Sequence, residues 1–199
     1  MRKILTILSL LLSLPLMASN NSDAVALLGR LSKYVGQLGN YEVQFDMNAG
    51  EYSTRGYFRV AGDLYYISVG DAEVYSDGKV RYEVDNQHEE VYIDEVDTKS
   101  RNVLDNPTRC FDFAGTDYLS EVVRRDSGAA TIKLVSKDKS VEGEIYLTIK
   151  ESTAEPLAIE YRLYDDRFNV KVCSIAKSKT SPAKFDRSRY RDYEIIDFR

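Results

Sequence analysis

The sequence predicts a mainly β fold: one large antiparallel sheet that curls beneath a thin α-helical cover. Two-residue alternation of apolar and polar side chains recurs along most of the chain after Gly39, the period of a strand with one wet and one covered face. Short polar turns join the alternating segments, as expected for antiparallel neighbours. A clear helical period appears in one stretch, so little helix is available to cover so much sheet.

Residues 1–18 read as a secretory signal peptide. Arg2 and Lys3 are followed by an apolar run over Ile4–Leu14, which Pro15 breaks before "LMASNN". The run is shorter than the roughly 20 residues a membrane-spanning helix needs. Cleavage is expected after Ala18 or, next best, after Ser19, and no cysteine follows to carry a lipid anchor. Residues 19–199 then form a single exported domain, expected in the periplasm. Losing Arg2 and Lys3 makes the formal charge of −5 more negative by two. Such an acidic chain, with no basic stripe interleaved with aromatics, argues against nucleic acid as a partner and disfavours an anionic membrane surface.

The helix is expected over residues 23–38, where Ala24, Leu28, Leu31, Val35 and Leu38 fall on one face. Ser22 is placed to cap it and Gly39 to end it. "YEVQFDM" then sets Tyr41, Val43, Phe45 and Met47 against polar neighbours. "GYFRV", "LYYISV", "KVRYEV" and "EVYIDEV" continue the pattern. After an irregular stretch it resumes in "ATIKLV" (130–135), "EIYLTIK" (144–150), "PLAIEYRLY" (156–164) and "FNVKVCSI" (168–175), with "YEIIDF" (193–198) closing the series. Asp77-Gly78, between "AEVY" and "KVRYEV", is a hairpin signal.

A sheet this large curls. The irregular segment 98–127, with Val103, Leu104, Phe111, Phe113, Leu119, Val122 and Val123, is the second candidate for cover. A curled sheet under a thin cover either packs to a filled core or keeps an apolar cavity, and alternation alone admits both.

Reactive chemistry finds little support. His88 is the one histidine and sits in the turn "DNQHEE", with no second histidine or cysteine at ligand spacing and no Gly-x-Ser-x-Gly elbow. Glu89 and Glu90 are adjacent, so a strand would point them to opposite faces. "SDGK" lacks the second glycine and the helix of a phosphate loop. No cofactor, metal site or enzymatic activity is expected. The two cysteines, Cys110 and Cys173, are either a disulfide or two buried thiols.

The stretch "YSDGKVRYEVDNQHEEVYI" resembles the hairpin of periplasmic outer-membrane lipoprotein carrier proteins (LolA type). Ser76, Asp77, Gly78 and Lys79 match that family's Ser-Asp-Gly-Lys, and Tyr82 stands at its aromatic position. The leading helix with "LGNYEVQFDM", and "TRGYFRVAGDLYYISV", look like the family's first helix and early strands. The ending "KFDRSRYRDYEIIDFR" is similar to the tail of Bacteroidetes-type members. One departure concerns "VAGD" (60–63), where the family usually has a Lys-Arg-Pro segment whose arginine fastens a lid. No arginine transfers to that turn.

The resemblance implies a half-closed antiparallel β-barrel, here of about nine to eleven strands by pattern, with helices forming a lid over an apolar cavity. It also implies a monomeric carrier that takes acylated lipoproteins from an inner-membrane ABC transporter to an outer-membrane acceptor. The alternatives are a non-transporting lipid or lipoprotein sensor of the same fold and, third, an acyl hydrolase. The expected cavity lining is the alternating apolar set Val43, Phe45, Phe58, Tyr66, Val80, Tyr82, Val84, Ile132, Leu134, Ile145, Leu147, Ile149, Leu157, Ile159 and Tyr161. Val91 and Ile93 belong to the same expected apolar side. The lid would carry Leu28, Leu31, Val35, Leu104, Phe111 and Phe113. A one-residue slip in any strand would turn its members outward.

Overall fold

A computed structural model describes residues 15–164 and 166–199, with side chains from residue 21 onward. Most of the expected signal peptide therefore lies outside the described residues. The described residues fold as one α-helix against one open, curled sheet of twelve strands.

Helix α1 runs Pro15–Leu38, so Ser22 lies within it and does not cap it. It buries Ala24, Leu27, Leu28 and Leu31, with Tyr34, Val35 and Leu38 half-buried against the same core. Gly39 then takes φ +65°, the left-handed turn that ends a helix at little cost for a residue without Cβ. No helix among the described residues is long and apolar enough to cross a membrane.

Six strands follow as a meander: β1 Tyr41–Ala49, β2 Tyr52–Ala61, β3 Leu64–Val69, β4 Ala72–Ser76, β5 Val80–Asp85 and β6 Glu90–Glu95. A second meander comprises β7 Tyr118–Asp126, β8 Ala129–Ser136, β9 Glu144–Lys150, β10 Pro156–Leu163 and β11 Asp166–Lys177. The two join where β11 pairs with β1. The β4–β5 turn is the expected Asp-Gly hairpin: Gly78 has φ +91°, and the Asp77 carboxylate accepts from the amides of Lys79 and Val80.

Three bulges add curl. Register shifts leave Cys173 extra between β11 and β1, Val123 extra between β7 and β8, and Leu157 extra between β10 and β9. The last strand, β12 Glu194–Asp197, pairs with β6 in parallel, where the pattern predicts antiparallel neighbours. It arrives in that direction because residues 178–193 first cross the outer face of the sheet.

The topology also explains the irregular segment. β6 and β7 lie near opposite ends of the strand order, so their connection, residues 96–117, must cross the concave face. It does so without helix. Pro107 and the asparagines at 102 and 106 favour turns instead, with the amides of Asp105 and Asn106 both reaching the Asn102 carbonyl. The expected plural helical lid is thus one helix plus a looped plug. Residues 118–126, expected within that cover, are strand β7. As the edge strand it buries only Val122, so its alternation is faint.

Candidate functional site

The concave face holds the main apolar cluster. Val43, Phe45, Phe58, Ile132, Leu134, Leu147, Ile149, Ile159 and Tyr161 of the expected lining are all buried in it, and Ile145 is half-buried against it. The expected lid side chains Leu28, Leu31, Phe111 and Phe113 are buried in the same cluster, with Val35 and Leu104 at its margin. They pack directly on the sheet, so the space between sheet and cover is filled.

Four expected lining residues lie elsewhere. Tyr66, Val80, Tyr82 and Val84 belong to a second cluster with Tyr75, Val91, Ile93, Phe185 and Tyr190. Cross-strand register puts Tyr66 beside Tyr75, Tyr75 beside Tyr82, and Tyr82 beside Ile93, on the sheet's outer face. The inner positions of β3 and β4 are Tyr65, Ile67 and Val74, a one-residue offset from the expected set. Alternation could not choose between them because β3 and β4 are buried on both faces. Leu157, the extra residue of its bulge, is half-buried and joins neither cluster. Cys110, within the plug, is buried in the main cluster and Cys173 is exposed at its bulge, both as free thiols, so no disulfide joins them.

The plug is held by sheet side chains that reach its backbone carbonyls. Tyr65 of β3 donates to the Asp105 carbonyl at 2.8 Å, Tyr41 of β1 to Pro107 at 3.4 Å, and Arg81 of β5 to Leu104 at 3.3 Å. Tyr161 of β10 does double work: its hydroxyl donates to the Arg101 carbonyl at 2.9 Å and accepts from the Val103 amide at 3.0 Å. These contacts hold the cover without an arginine in the 60–63 turn. Burial pushes the Tyr65 phenol up to about 12 and drives Tyr41 and Tyr161 well above the ordinary tyrosine value. All three stay neutral donors at any physiological pH. The helix is tied at its rim, where Arg30 donates to the carbonyls of Glu151 and Ser152 at 2.6 and 3.1 Å. Arg125 bridges Asp23 and Glu151 beside it, a half-exposed pair of contacts worth little in water.

One apolar pocket remains open at the plug's margin, with a volume of about 270 Å³. Its floor is Leu134, Ile145, Tyr161 and Phe168, and residues 99–102 of the plug form one wall. The Tyr161 and Phe168 rings stack at 4.5 Å. The volume falls just below the roughly 300–1,000 Å³ of ligand cavities.

The polar residues elsewhere are engaged structurally. His88 lies in the β5–β6 turn, 62% exposed, with its ring against the Asp85 carboxylate at 2.7 Å. That contact raises its pKa. Among the described residues no group of histidine, cysteine or carboxylate side chains is arranged to hold a metal. A groove on the outer face near Cys173 is lined mainly by polar residues including Glu42, Asp46, Arg55 and Arg59.

Sequence reasoning missed Tyr65, Ile67, Val74, Val103 and Phe168. "LYYIS" offered tyrosine at both parities, so the signal for Tyr65 was present but ambiguous. Val103 was recognised only as part of the cover. Nothing local marks a backbone amide that pairs with a tyrosine 58 residues away.

No family model matches the chain, and no curated protein does. Among solved structures, an uncharacterized conserved protein from Thermus thermophilus aligns over 88% of this chain and 99% of its own, at 12% identity and a TM-score of 0.53. LprF from Mycobacterium bovis aligns over 83% and 98% at 13% identity, TM-score 0.46. A LolA superfamily protein from Nitrosomonas europaea aligns over 84% and 96% at 9% identity, TM-score 0.41. At 12% identity the likeness to the Thermus thermophilus protein is one of fold.

Proposed function

We propose that this is an exported, periplasmic protein that binds acyl chains on the concave face of its sheet and carries lipidated ligands, lipoproteins foremost, between membranes. The observation that carries this reading is the mismatch between face and cover. A continuous apolar surface is closed by one helix and a looped plug, and a few side-chain hydrogen bonds to its backbone tie that plug to the sheet. An apolar pocket already opens at the edge of that cover.

The energetics fit a reversible carrier. Burying an acyl chain is worth about 0.8 kcal/mol per methylene, so a roughly sixteen-carbon chain carries on the order of 12 kcal/mol. Each neutral hydrogen bond at the plug contributes only about 0.5–1.5 kcal/mol net. A chain that replaces Leu28, Leu31, Phe111 and Phe113 on the sheet exchanges one apolar contact for another, so opening and closing stay near balance. The resemblance of the 75–93 hairpin and of the C-terminal tail to lipoprotein carriers supports the same reading. No reactive constellation argues for turnover.

Native mass spectrometry of protein purified from its own envelope tests this, paired with titration by a synthetic N-acylated peptide and transfer to acceptor vesicles. A copurified acylated species and ligand handover are expected. Binding without handover would indicate a sensor, and failure to bind any acylated ligand would overturn the proposal.

A further inference from the structure

The apolar pocket adjoins a wider recess of about 520 Å³, with Lys99, Arg101, Tyr118, Ser136 and Val141 common to both. The recess is lined by four cations, Lys99, Arg101, Arg109 and Lys137, against two carboxylates, Asp117 and Asp138. On a chain of net charge −5 this is a local reversal of sign. Asp112 neutralises Arg109 at 2.7 Å, and cations still outnumber acids. Lys99 acts on Asp138 only at a distance, and Lys137 forms no ion pair among the described residues.

Arg101 is the centre of the recess. Its side chain is 5% exposed. Nε and Nη1 donate to the carbonyls of Asp112 and Lys99 at 2.7 and 2.9 Å. Nη2 faces carboxylate oxygens of Asp112 and Asp117 at 3.6 and 3.7 Å, too far for a hydrogen bond. That nitrogen keeps donor capacity in a partly desolvated place, where a charge-assisted bond is strongest. The acids at the pocket's rim are already occupied: Asp97 caps the amides of Lys99 and Ser100, Glu142 accepts from Tyr164, and Glu144 pairs with Lys133. Arg162, also at that rim, is held by Glu160.

We propose that the pocket and recess together take a single-chain amphiphile with an anionic head. The chain lies against Leu134, Ile145, Tyr161 and Phe168, and the carboxylate or phosphate head sits within reach of Arg101 and Lys99. This rests on the acyl-binding reading and narrows its ligand. It also joins ligand to cover: the chain touches the Tyr161 ring, whose hydroxyl holds the carbonyl of the same Arg101 that receives the head.

Calorimetric titration of the mature chain with dodecanoate, dodecyl phosphate, dodecanol and inorganic phosphate tests the inference. The two anionic amphiphiles are expected to bind at least about tenfold tighter than dodecanol, the scale of one charge-assisted hydrogen bond. Arg101→Gln should erase that preference while dodecanol still binds. Because Arg101 also ties two plug carbonyls, the exposed pair Lys99→Gln/Lys137→Gln serves as a second variant and should weaken the anionic ligands alone. Equal binding of dodecanoate and dodecanol would overturn the anionic head and leave acyl binding standing. Inorganic phosphate binding as tightly as dodecyl phosphate would overturn the joined site. If no amphiphile bound, the acyl-binding reading itself would fall.

Discussion

The strands at one end of the sheet bury apolar side chains on both faces, and the two covers are attached differently. Outside, residues 178–199 lay Phe185 flat on Tyr82 at 4.3 Å and add strand β12 along β6. Their Tyr190 reaches the Glu73 carboxylate at 2.8 Å, which Tyr66 and Tyr75 also approach at 2.5 and 3.0 Å. Inside, the plug meets the sheet through neutral tyrosines and one arginine that contact its carbonyls. Lifting the outer cover would take Tyr190 and Arg189 away from a half-buried carboxylate that Tyr66 and Tyr75 still hold, and a hydrogen bond to a charged group is worth about 1.5–3 kcal/mol. Lifting the inner cover frees hydroxyls and carbonyls that water or a ligand can satisfy. The outer cover is built to stay and the inner one to exchange.

Substitutions can break this contrast, and the largest effect is expected at the shared core. Phe45→Ala, in the concave-face cluster with 1% exposure, should cost about 3–5 kcal/mol, read as a drop in the urea midpoint of the whole domain. Glu73→Gln should cost about 1–3 kcal/mol. Hydrogen exchange should then quicken in residues 185–197 while the plug keeps its protection; equal loss in both would dissolve the distinction. Tyr161→Phe removes the acceptor of the Val103 amide and the donor to the Arg101 carbonyl, costing about 1 kcal/mol. Here exchange should quicken in the plug alone.

Acid should separate the covers in the same way. Burial raises the Glu73 pKa, but hydrogen bonds from Tyr66, Tyr190 and Tyr75, with Arg189 nearby, outweigh it and leave the folded value below the ordinary one. A depressed carboxylate stabilises the fold at pH values above its unfolded pKa, and the contribution is lost as pH falls through the lower folded pKa. The outer cover should therefore loosen below about pH 4, near and beneath the ordinary glutamate value, while the tyrosine ties of the plug do not titrate there. Exchange measured at pH 7 and pH 3 reads the difference. The smallest effect is expected from His88→Ala, which should leave acyl binding unchanged because His88 sits in a turn outside both clusters.

Much of this fold was legible because period-two patterns are local. β9 was read to the residue over 144–150, and the Asp77-Gly78 turn was fixed by a glycine at positive φ. The hidden part is what lies on each face. Tyr66, Tyr82 and Val84 alternate as a covered set should, yet their cover is the tail about 100 residues later, and pattern cannot say which of two covers a strand meets. β7 escaped because an edge strand with one buried side chain barely alternates. The plug's grip escaped because it uses backbone carbonyls, which no side-chain pattern records.

The two free thiols offer the most direct test of an exchangeable inner cover. Cys110 is a plug residue whose side chain is buried in the main apolar cluster, and burial pushes its thiol pKa up; Cys173 is exposed on the sheet. Labelling both with a thiol reagent while titrating an N-acylated peptide reads plug and sheet together. Cys110 labelling should accelerate as ligand binds, with Cys173 unchanged. Saturating ligand that leaves Cys110 as protected as in the free protein would contradict the claim that acyl chains enter by displacing the plug.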